Sequence, residues 1–463
     1  MKRRLVFPLL ALVLASLMAA PSAVATSSTD WPAYLFGPRH PSKSASALIT
    51  PANAGSLVKA WTFTSPKPTM TGQPSGGFVA SPIVYGGKVF IGSNTGVFFA
   101  LNETTGAVIW SRFLGFVPKS TCNARGIAST ATVAVDPVTL KPTVYVSSGD
   151  GYLFALDAAT GTVVWKSVIA LQSATQNDYF DWSSPTVANG SVYIGVTSQC
   201  DTPLIRGGVK RYDQATGALA SEYFSVPDGA IGASVWSSVA VTATAVYVTT
   251  GNVSPGDIEG DAYSIVKLDP VTLVRKAKYT VPGGDRVPDS DFGGSPTVFP
   301  AGGVQTVGAC NKGGFFYAVR TSDMSLRWKV RAGNGSPEGT SSCLAAAIWD
   351  GSRLFLAGPT TTITGTTYPG SVLRVDPLTG VLQWQTGVGG AVIGTPSING
   401  SGVIAVPIWS NDTTRAGTYL LNATDGSIVR FILGGKQFAQ PTFAGSYLFT
   451  ATMGGQVTAW KLP

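Results

Sequence analysis

Histidine is almost missing from this sequence, which has a single one, His40, among 463 residues. A haem held by a Cys-x-x-Cys-His motif, a zinc site with several histidines and a Ser–His–Asp triad all need histidines that the chain lacks. His40 follows a glycine and a proline near the N-terminus, and we expect it at the surface rather than in a catalytic role. The sequence therefore excludes these three kinds of chemistry.

Charged residues are also scarce, at 12% of the chain, although the formal net charge is +8. Lysine and arginine form no cluster and do not alternate with aromatic residues on one face, so we expect no nucleic-acid partner. Beyond the N-terminal apolar run described next, no stretch approaches the length of a membrane span. The mature chain is therefore expected to have no membrane span.

The N-terminus has the three parts of an export signal. Lys2, Arg3 and Arg4 precede an apolar run over 5–20, and small residues at 23 and 25 offer a cleavage site. We therefore predict a signal peptide over 1–25, in preference to a membrane anchor, and a secreted or periplasmic location.

Glycine, proline and β-branched residues are plentiful, and they recur in a repeat. The clearest copies are ALNETTGAVIW (100–110), ALDAATGTVVW (155–165) and RVDPLTGVLQW (374–384). Four weaker copies keep the spacing at 46 to 56 residues, which suits one four-stranded blade. In the three clearest copies a strand ends in Asp or Asn, Thr-Gly forms a turn, and a second strand ends in Trp.

The repeats predict an all-β fold, an eight-bladed β-propeller of four-stranded blades, with seven blades as the alternative. Seven copies are full, and an eighth unit from Gln440 to Pro463 lacks its last strand. The stretch SLVKAWTFTS (56–65) has the form of that missing strand, so pairing of the N- and C-terminal strands would close the ring. We expect an N-terminal segment over 26–55 and one propeller domain over 56–463.

The Ala–x–Asp–x–x–Thr–Gly–x–x–x–Trp repeat and the stretch WPAYLFGPRHPSKSASALITPANAGSLVKAWTF (31–63) resemble the quinoprotein dehydrogenase propellers. The resemblance implies pyrroloquinoline quinone (PQQ) and calcium as cofactors, and an alcohol, sugar or polymeric alcohol as the substrate. Because no haem domain is present, electrons would pass to a separate acceptor. The alternatives are a cofactor-free propeller that binds envelope proteins as a scaffold, and a degenerate dehydrogenase that has kept only the pocket.

Three residues match positions that contact PQQ in this family. Arg125, in CNARG (122–126), matches the arginine that pairs with a quinone carboxylate. Trp236, in GASVWSSVAV (232–241), matches the flat floor under the cofactor. Lys312, in CNKGGFFYAV (310–319), matches the cation at a quinone carbonyl.

Three residues match or replace calcium ligands. Asn252, followed by Val-Ser-Pro, matches the family's amide ligand, and Asp291 matches the aspartate that lies against calcium and takes the alcohol proton. Asp289 is the competing assignment for that aspartate. The family's glutamate in the third blade has no clear match, and Asp201 is offered in its place. The family's adjacent pair of cysteines is reduced to Cys122.

All these candidates fall in loops between the fourth strand of one blade and the first of the next, or between the second and third strands. These two kinds of loop open on the same face of a propeller. The four cysteines fall in the same loops, and only neighbouring blades bring Cα atoms within about 7 Å. We therefore predict disulfides Cys122–Cys200 and Cys310–Cys343, with four unpaired thiols as the alternative.

Overall fold

The computed structural model describes residues 29–172, 178–336 and 342–463. The signal peptide predicted over 1–25 lies outside these residues. Eight four-stranded antiparallel sheets follow one another along the chain as the blades of a propeller, which confirms the predicted fold and the number of blades. In each blade, strands A to D run from the axis outwards.

The strands of blades 1 to 4 follow in chain order from A to D. They are β2 Ile83–Tyr85, β3 Lys88–Gly92, β4 Val97–Asn102 and β5 Val108–Phe113; β6 Thr132–Val135, β7 Pro142–Ser147, β8 Tyr152–Asp157 and β9 Val163–Val168; β10 Thr186–Ala188, β11 Ser191–Val196, β12 Gly208–Asp213 and β13 Leu219–Phe224; β14 Ala240–Val241, β15 Val246–Thr249, β16 Ser264–Leu268 and β17 Arg275–Thr280.

Blades 5 to 8 continue in the same way, with a small extra hairpin between strands B and C of blade 6. They are β18 Thr297–Ala301, β19 Val304–Cys310, β20 Phe315–Arg320 and β21 Leu326–Arg331; β22 Ile348–Trp349, β23 Leu354–Gly358, the hairpin β24 Thr361–Ile363 and β25 Thr366–Tyr368, β26 Gly370–Val375 and β27 Leu382–Val388; β28 Ser397–Ile398, β29 Val403–Ile408, β30 Gly417–Asn422 and β31 Ile428–Leu433; β32 Thr442–Ala444, β33 Tyr447–Ala451, β34 Gln456–Lys461 and β1 Val58–Thr64.

The ring closes between the two ends of the chain, as the sequence predicts. Strand β1 pairs antiparallel with β34, so that Val58 lies opposite Lys461 and Thr64 opposite Gln456. This pairing supplies strand D of blade 8 and leaves no unpaired edge inside the ring.

The repeat motif joins each blade to the next one. In the second copy, Oδ1 of Asp157 accepts the backbone N–H groups of Ala159 and Thr160, both at 2.9 Å. Gly161 follows with φ of +71°, and a Cβ there would lie 2.6 Å from the Trp110 ring of the preceding blade. The turn in this motif thus ends in a glycine because the tryptophan of the neighbouring blade lies directly on it.

Hydroxyl groups near the start of the A strands join the blades again around the axis. In each such pair a backbone N–H of one blade donates to a serine or threonine hydroxyl of a neighbour. The donors and acceptors are Ser81 and Thr130, Thr130 and Ser184, Ser184 and Ser238, Ser238 and Ser295, Ala346 and Thr395, and Gln440 and Ser81, at 2.8 to 3.0 Å. These bonds link neighbouring blades, and the same hydroxyl groups line the centre of the ring.

The N-terminal segment runs across the A strands on the face opposite the candidate site. It contains the 3₁₀ turns Tyr34–Phe36 and Ala54–Ser56, and a third such turn, Gly283–Asp285, lies between blades 4 and 5. Its backbone bonds to the A strands of most blades, for example Trp31 with Val84 at 2.9 Å and 2.8 Å. None of these helical turns, in the three stretches that the structure describes, could cross a membrane.

His40 belongs to this segment, and its expected surface position is wrong. The side chain is 1% exposed, and Nδ1 lies 2.8 Å from the carbonyl oxygen of Pro296 in blade 5. Burial lowers the pKa of His40 to about 4, so the ring is neutral near pH 7. The His40 ring is therefore buried against blade 5, although Pro38 and Arg39 before it are exposed.

Candidate functional site

The six predicted site residues all lie in loops on one face of the ring. Arg125, Trp236 and Asp291 precede strands A of blades 2, 4 and 5, and Asp201, Asn252 and Lys312 lie between strands B and C of blades 3, 4 and 5. Because antiparallel strands alternate in direction, these two kinds of loop open on the same side. This placement is consistent with the expectation from the sequence that the two kinds of loop lie on the same face of the propeller.

Three of the six form a direct cluster at the centre of the face. Nε1 of Trp236 donates to Oδ2 of Asp291 at 2.7 Å. Nζ of Lys312 lies 2.6 Å from Oδ1 of the same carboxylate and 2.7 Å from Oδ2 of Asp289, the competing candidate. The ammonium is also 5.5 Å from the centre of the Trp236 ring. Both oxygens of Asp291 are thus engaged by groups of the protein.

Burial dominates the electrostatics of this cluster. It raises the pKa of Asp291 to about 7, the Lys312 ammonium opposes this shift, and the charges of Asp289 and Asp201 add to it. Burial lowers the pKa of Lys312, but the neighbouring carboxylates outweigh that effect and leave it above its usual value. Asp291 is therefore a carboxyl group that changes its protonation near neutral pH, a property suited to a general base.

Asn311, which the sequence analysis did not single out, fixes this cluster in place. The side chain is fully buried, and its Nδ2 donates to the carbonyl of Ser290 at 2.6 Å while its Oδ1 accepts from the backbone N–H of Gly313 at 2.9 Å. It thereby joins the loop of Asp289 and Asp291 to that of Lys312. The sequence signal that could have pointed to Asn311 is its position between the predicted disulfide residue Cys310 and the predicted site residue Lys312.

Both predicted disulfides are present next to these loops. Cys310–Cys343 joins blades 5 and 6 with a Cα–Cα distance of 5.6 Å, and Cys122–Cys200 joins the loops of blades 2 and 3 with a distance of 6.1 Å. Each bridge links adjacent blades on the same face, which confirms the predicted pairing. The first bridge lies two residues before Lys312 and the second three residues before Arg125.

Asp201 and Asn252 are near this cluster but are not bonded to it. The Ser198 hydroxyl donates to Oδ1 of Asp201, whose side chain is exposed. The side-chain amide of Asn252 makes no hydrogen bond to any residue that the structure describes. The backbone carbonyl of Asn252 accepts from the backbone N–H of Ala233 at 2.6 Å. The structure therefore brings Trp236, Asp291 and Lys312 together and leaves these two apart.

Arg125 lies on the other side of the centre, against an aromatic ring that the sequence analysis missed. Its guanidinium carbon is 4.6 Å from the ring centre of Trp182. Burial lowers the pKa of Arg125, although an arginine stays charged at neutral pH. Trp182 in turn donates to the carbonyl of Gln199 at 3.2 Å, next to Cys200. As a tryptophan outside the repeat position, Trp182 could have been found by the criterion that selected Trp236.

A cavity of about 230 Å³ lies on the axis, with residues of all eight blades in its wall. Trp182 and Trp236 line it, and Tyr34 of the N-terminal segment reaches it from the opposite face. Burial raises the pKa of Tyr34, against hydrogen bonds with Thr395 and Ser295. A second space of about 260 Å³ adjoins it and is lined by Arg125, Trp182 and six apolar residues. Together they form a chamber lined by three indole rings, Trp182, Trp236 and Trp409, and by the Arg125 guanidinium. The Lys312 ammonium lies outside this lining, 5.5 Å from the centre of the Trp236 ring.

The residues of this chamber fit PQQ better than they fit calcium. A planar ring with carboxylates and quinone oxygens matches two indoles, the Arg125 guanidinium and the Lys312 ammonium in chemical type. A calcium ion needs six to eight oxygen ligands, and Asp291 already gives one oxygen to Trp236 and the other to Lys312. Among the described residues, no three His, Cys, Asp or Glu side chains form a group that could hold a metal. The predicted set of Asp291, Asn252 and Asp201 does not fit the ion as it stands.

Comparison with known proteins gives one consistent family. A PQQ family model, described as the β-propeller domain of glucose, ethanol and alcohol dehydrogenases, matches residues 31–260. A quinohemoprotein alcohol dehydrogenase of Comamonas testosteroni is 28% identical over 308 residues, which are 57% of this chain and 40% of that protein. The dehydrogenase subunit of a quinone alcohol dehydrogenase of Gluconobacter oxydans (strain 621H) is 31% identical over 184 residues, 39% of this chain and 22% of that protein.

The solved structures agree with this at the level of the fold. The crystal structure of the Comamonas testosteroni enzyme has a TM-score of 0.75 and 19% identity, over 94% of this chain and 80% of that one. This chain spans about two fifths or less of the length of the curated relatives named above. On the matched domain, the shared repeat and the ring of eight blades, this chain belongs to the PQQ-type β-propeller family.

Proposed function

We propose that this protein is a PQQ-dependent dehydrogenase that oxidises an alcohol. The observation that supports this most is the buried Asp291 carboxylate, held between Lys312 and Trp236, whose ring lines the axial chamber. PQQ, when bound, supplies the two-electron acceptor for the hydride of the substrate carbon. The relatives named as alcohol dehydrogenases support the same reaction class.

In this proposal Asp291 is the general base. A carboxylate oxygen accepts more than one hydrogen bond, so Oδ1 can take the hydroxyl proton of the alcohol while the Lys312 ammonium remains close. The indole N–H of Trp236 holds Oδ2 and thereby fixes the orientation of the carboxylate. Burial places the pKa of Asp291 near 7, where the group can accept a proton and release it in each turnover.

Cofactor binding falls to the two indoles and the cations. Trp182 and Trp236 offer flat surfaces to a planar ring, and Arg125 offers paired N–H donors to a carboxylate. The Lys312 ammonium would stabilise negative charge that develops on a quinone oxygen. No step is assigned to calcium, because the described residues around Asp291 form no group of ligands that could hold a metal ion.

Export, the electron acceptor and the substrate are parts of the same proposal. The sequence of 1–25 supports a secreted or periplasmic location. The single histidine leaves no c-type haem motif in this sequence, so we propose a separate acceptor. The substrate class is an alcohol, a sugar or a polymeric alcohol.

Reconstitution of the purified chain with PQQ tests this function. We expect the absorption spectrum of bound quinone, and reduction of an artificial electron acceptor when a primary or secondary alcohol is added. Asp291→Ala should bind PQQ but lose turnover, whereas Asp228→Ala, at a carboxylate that is 99% exposed, should keep both. Failure to bind PQQ at micromolar concentration would favour the cofactor-free scaffold, and binding without turnover would favour the degenerate dehydrogenase.

A further inference from the structure

We propose that Lys312 is the resident cation of this site and keeps divalent ions off Asp291. This goes beyond the proposed reaction, since it concerns metal binding by the chain without its cofactor. The Lys312 ammonium lies 2.6 Å from Oδ1 of Asp291 and 2.7 Å from Oδ2 of Asp289, and its side chain is 13% exposed. It thus occupies the space between the two carboxylates that a bound ion would need.

An ion at either oxygen of Asp291 would meet a group of the protein, because Oδ1 faces the Lys312 ammonium and Oδ2 accepts the Trp236 N–H. Calcium binds carboxylate oxygens at about 2.3 to 2.6 Å. An ion on Oδ1 would therefore lie close to the Lys312 ammonium and be repelled by it. An ion on Oδ2 would have to displace the 2.7 Å hydrogen bond from Trp236. Either position requires a group of the protein to move.

Lys312 is held where it is by its surroundings. Its backbone N–H donates to the carbonyl of Asp291 at 3.0 Å, so the two residues are joined by main chain as well as by charge. Asn311 before it is fully buried and bonded to Ser290 and Gly313. The disulfide of Cys310 fixes the same loop to the next blade. The backbone of Lys312 is therefore fixed next to Asp291, and the ammonium stays within reach of its carboxylate.

The ligands that would remain are few. Asp201, from the third blade, is exposed and accepts the Ser198 hydroxyl, and Asn252 offers one amide oxygen. Once the lysine is removed, however, Asp289 and Asp291 lose the ammonium that lies between them. Two neighbouring buried or half-buried carboxylates of this kind attract a hard cation, because their negative charges repel each other.

The test is binding of Tb³⁺, an oxygen-seeking ion whose luminescence is sensitised by a nearby tryptophan, to the full mature chain without PQQ. We expect Lys312→Met to gain a saturable site that binds about tenfold more tightly, or more, than any site of the wild type. Asp291→Asn in the Lys312→Met background should abolish it. Lys329→Met is the matched control, because it removes an ammonium 2.6 Å from Asp285 at the surface of the same blade, and it should gain no such site.

The proposal is overturned if the wild type binds Tb³⁺ at one site that Asp291→Asn removes, or if Lys312→Met gains no site. If Lys312→Met does not fold, Lys312→Gln and the wild-type arm decide the question by the same criteria. Because no cofactor or substrate enters the assay, its result is independent of whether the chain proves to be a dehydrogenase.

Discussion

The indole N–H of Trp236 lies 2.7 Å from Oδ2 of Asp291, which joins the ring expected under a planar cofactor to the carboxylate expected to act as base. A tryptophan in a cofactor pocket usually supplies only a flat apolar surface. Here it also donates a hydrogen bond to an ionisable group, which favours the charged form of that group. Trp236 should therefore affect proton transfer as well as cofactor binding.

Replacing Trp236 with Phe tests this double role. The variant keeps a ring but loses the N–H, so the pKa of Asp291 should rise further above its usual range and the pH midpoint of kcat/KM should move upward by up to about one unit. Trp182→Phe is the control, because its N–H donates to the Gln199 carbonyl rather than to Asp291, and its midpoint should stay in place. Equal pH midpoints in both variants would show that Trp236 supplies only a flat surface for the cofactor and does not affect proton transfer at Asp291.

Neutralising Asp289 should lower the pKa of Asp291, whereas the loss of the Trp236 N–H should raise it. The charge of Asp289 raises the pKa of Asp291, so Asp289→Asn should lower it. The wild-type rate should rise with pH through about 7, as Asp291 loses its proton, and the variant should rise at lower pH. The measurement is the pH profile of kcat/KM with an artificial acceptor. If Asp289→Asn is inactive at every pH while Asp291→Asn keeps turnover, the base is Asp289.

Arg125 should contribute to cofactor affinity and not to the chemical step. Arg125→Ala should weaken PQQ binding by about ten- to a hundredfold, since a charged hydrogen bond to a carboxylate contributes about 1.5 to 3 kcal/mol. Equilibrium titration of quinone absorption measures this. Arg286→Ala removes another arginine above an aromatic ring, Tyr263, at the same face, and it should bind PQQ normally. Equal affinities in the two variants would remove Arg125 from the proposed site.

The fold could be predicted from the sequence because its information is local and repeated. In five of the turns an Asp or Asn and the tryptophan of the preceding blade meet at a glycine, as Asp157, Trp110 and Gly161 show, and that set of residues recurs along the chain. The closure by β1 and the two disulfides followed from counting the strands and assigning their loops to a face.

The interior of the site could be predicted only in part. The order of loops in the sequence predicted that Trp236, Asp291 and Lys312 lie on one face, but it could not predict that they lie at bonding distance from one another. Tyr34 reaches the cavity from a segment far away in sequence, and Trp182 enters it through a loop of another blade. Such contacts depend on how eight blades converge on the axis, which no local pattern specifies.

His40 provides a test of stability rather than of activity, and it is clean because the chain has no other histidine. Burial holds its pKa at about 4 in the folded protein, against 6.5 in the unfolded chain, so the unfolded state binds the extra proton between these values. The neutral, buried His40 ring therefore contributes its full share to the free energy of unfolding above pH 6.5, and this share is lost as the pH falls toward 4. Relative to His40→Asn, the wild type should lose about 2 kcal/mol of unfolding free energy between pH 7.5 and pH 5 in urea titrations. Asparagine suits the control because it tolerates the positive φ of 60° at this position. An identical pH dependence in both proteins would mean that the imidazole reaches solvent.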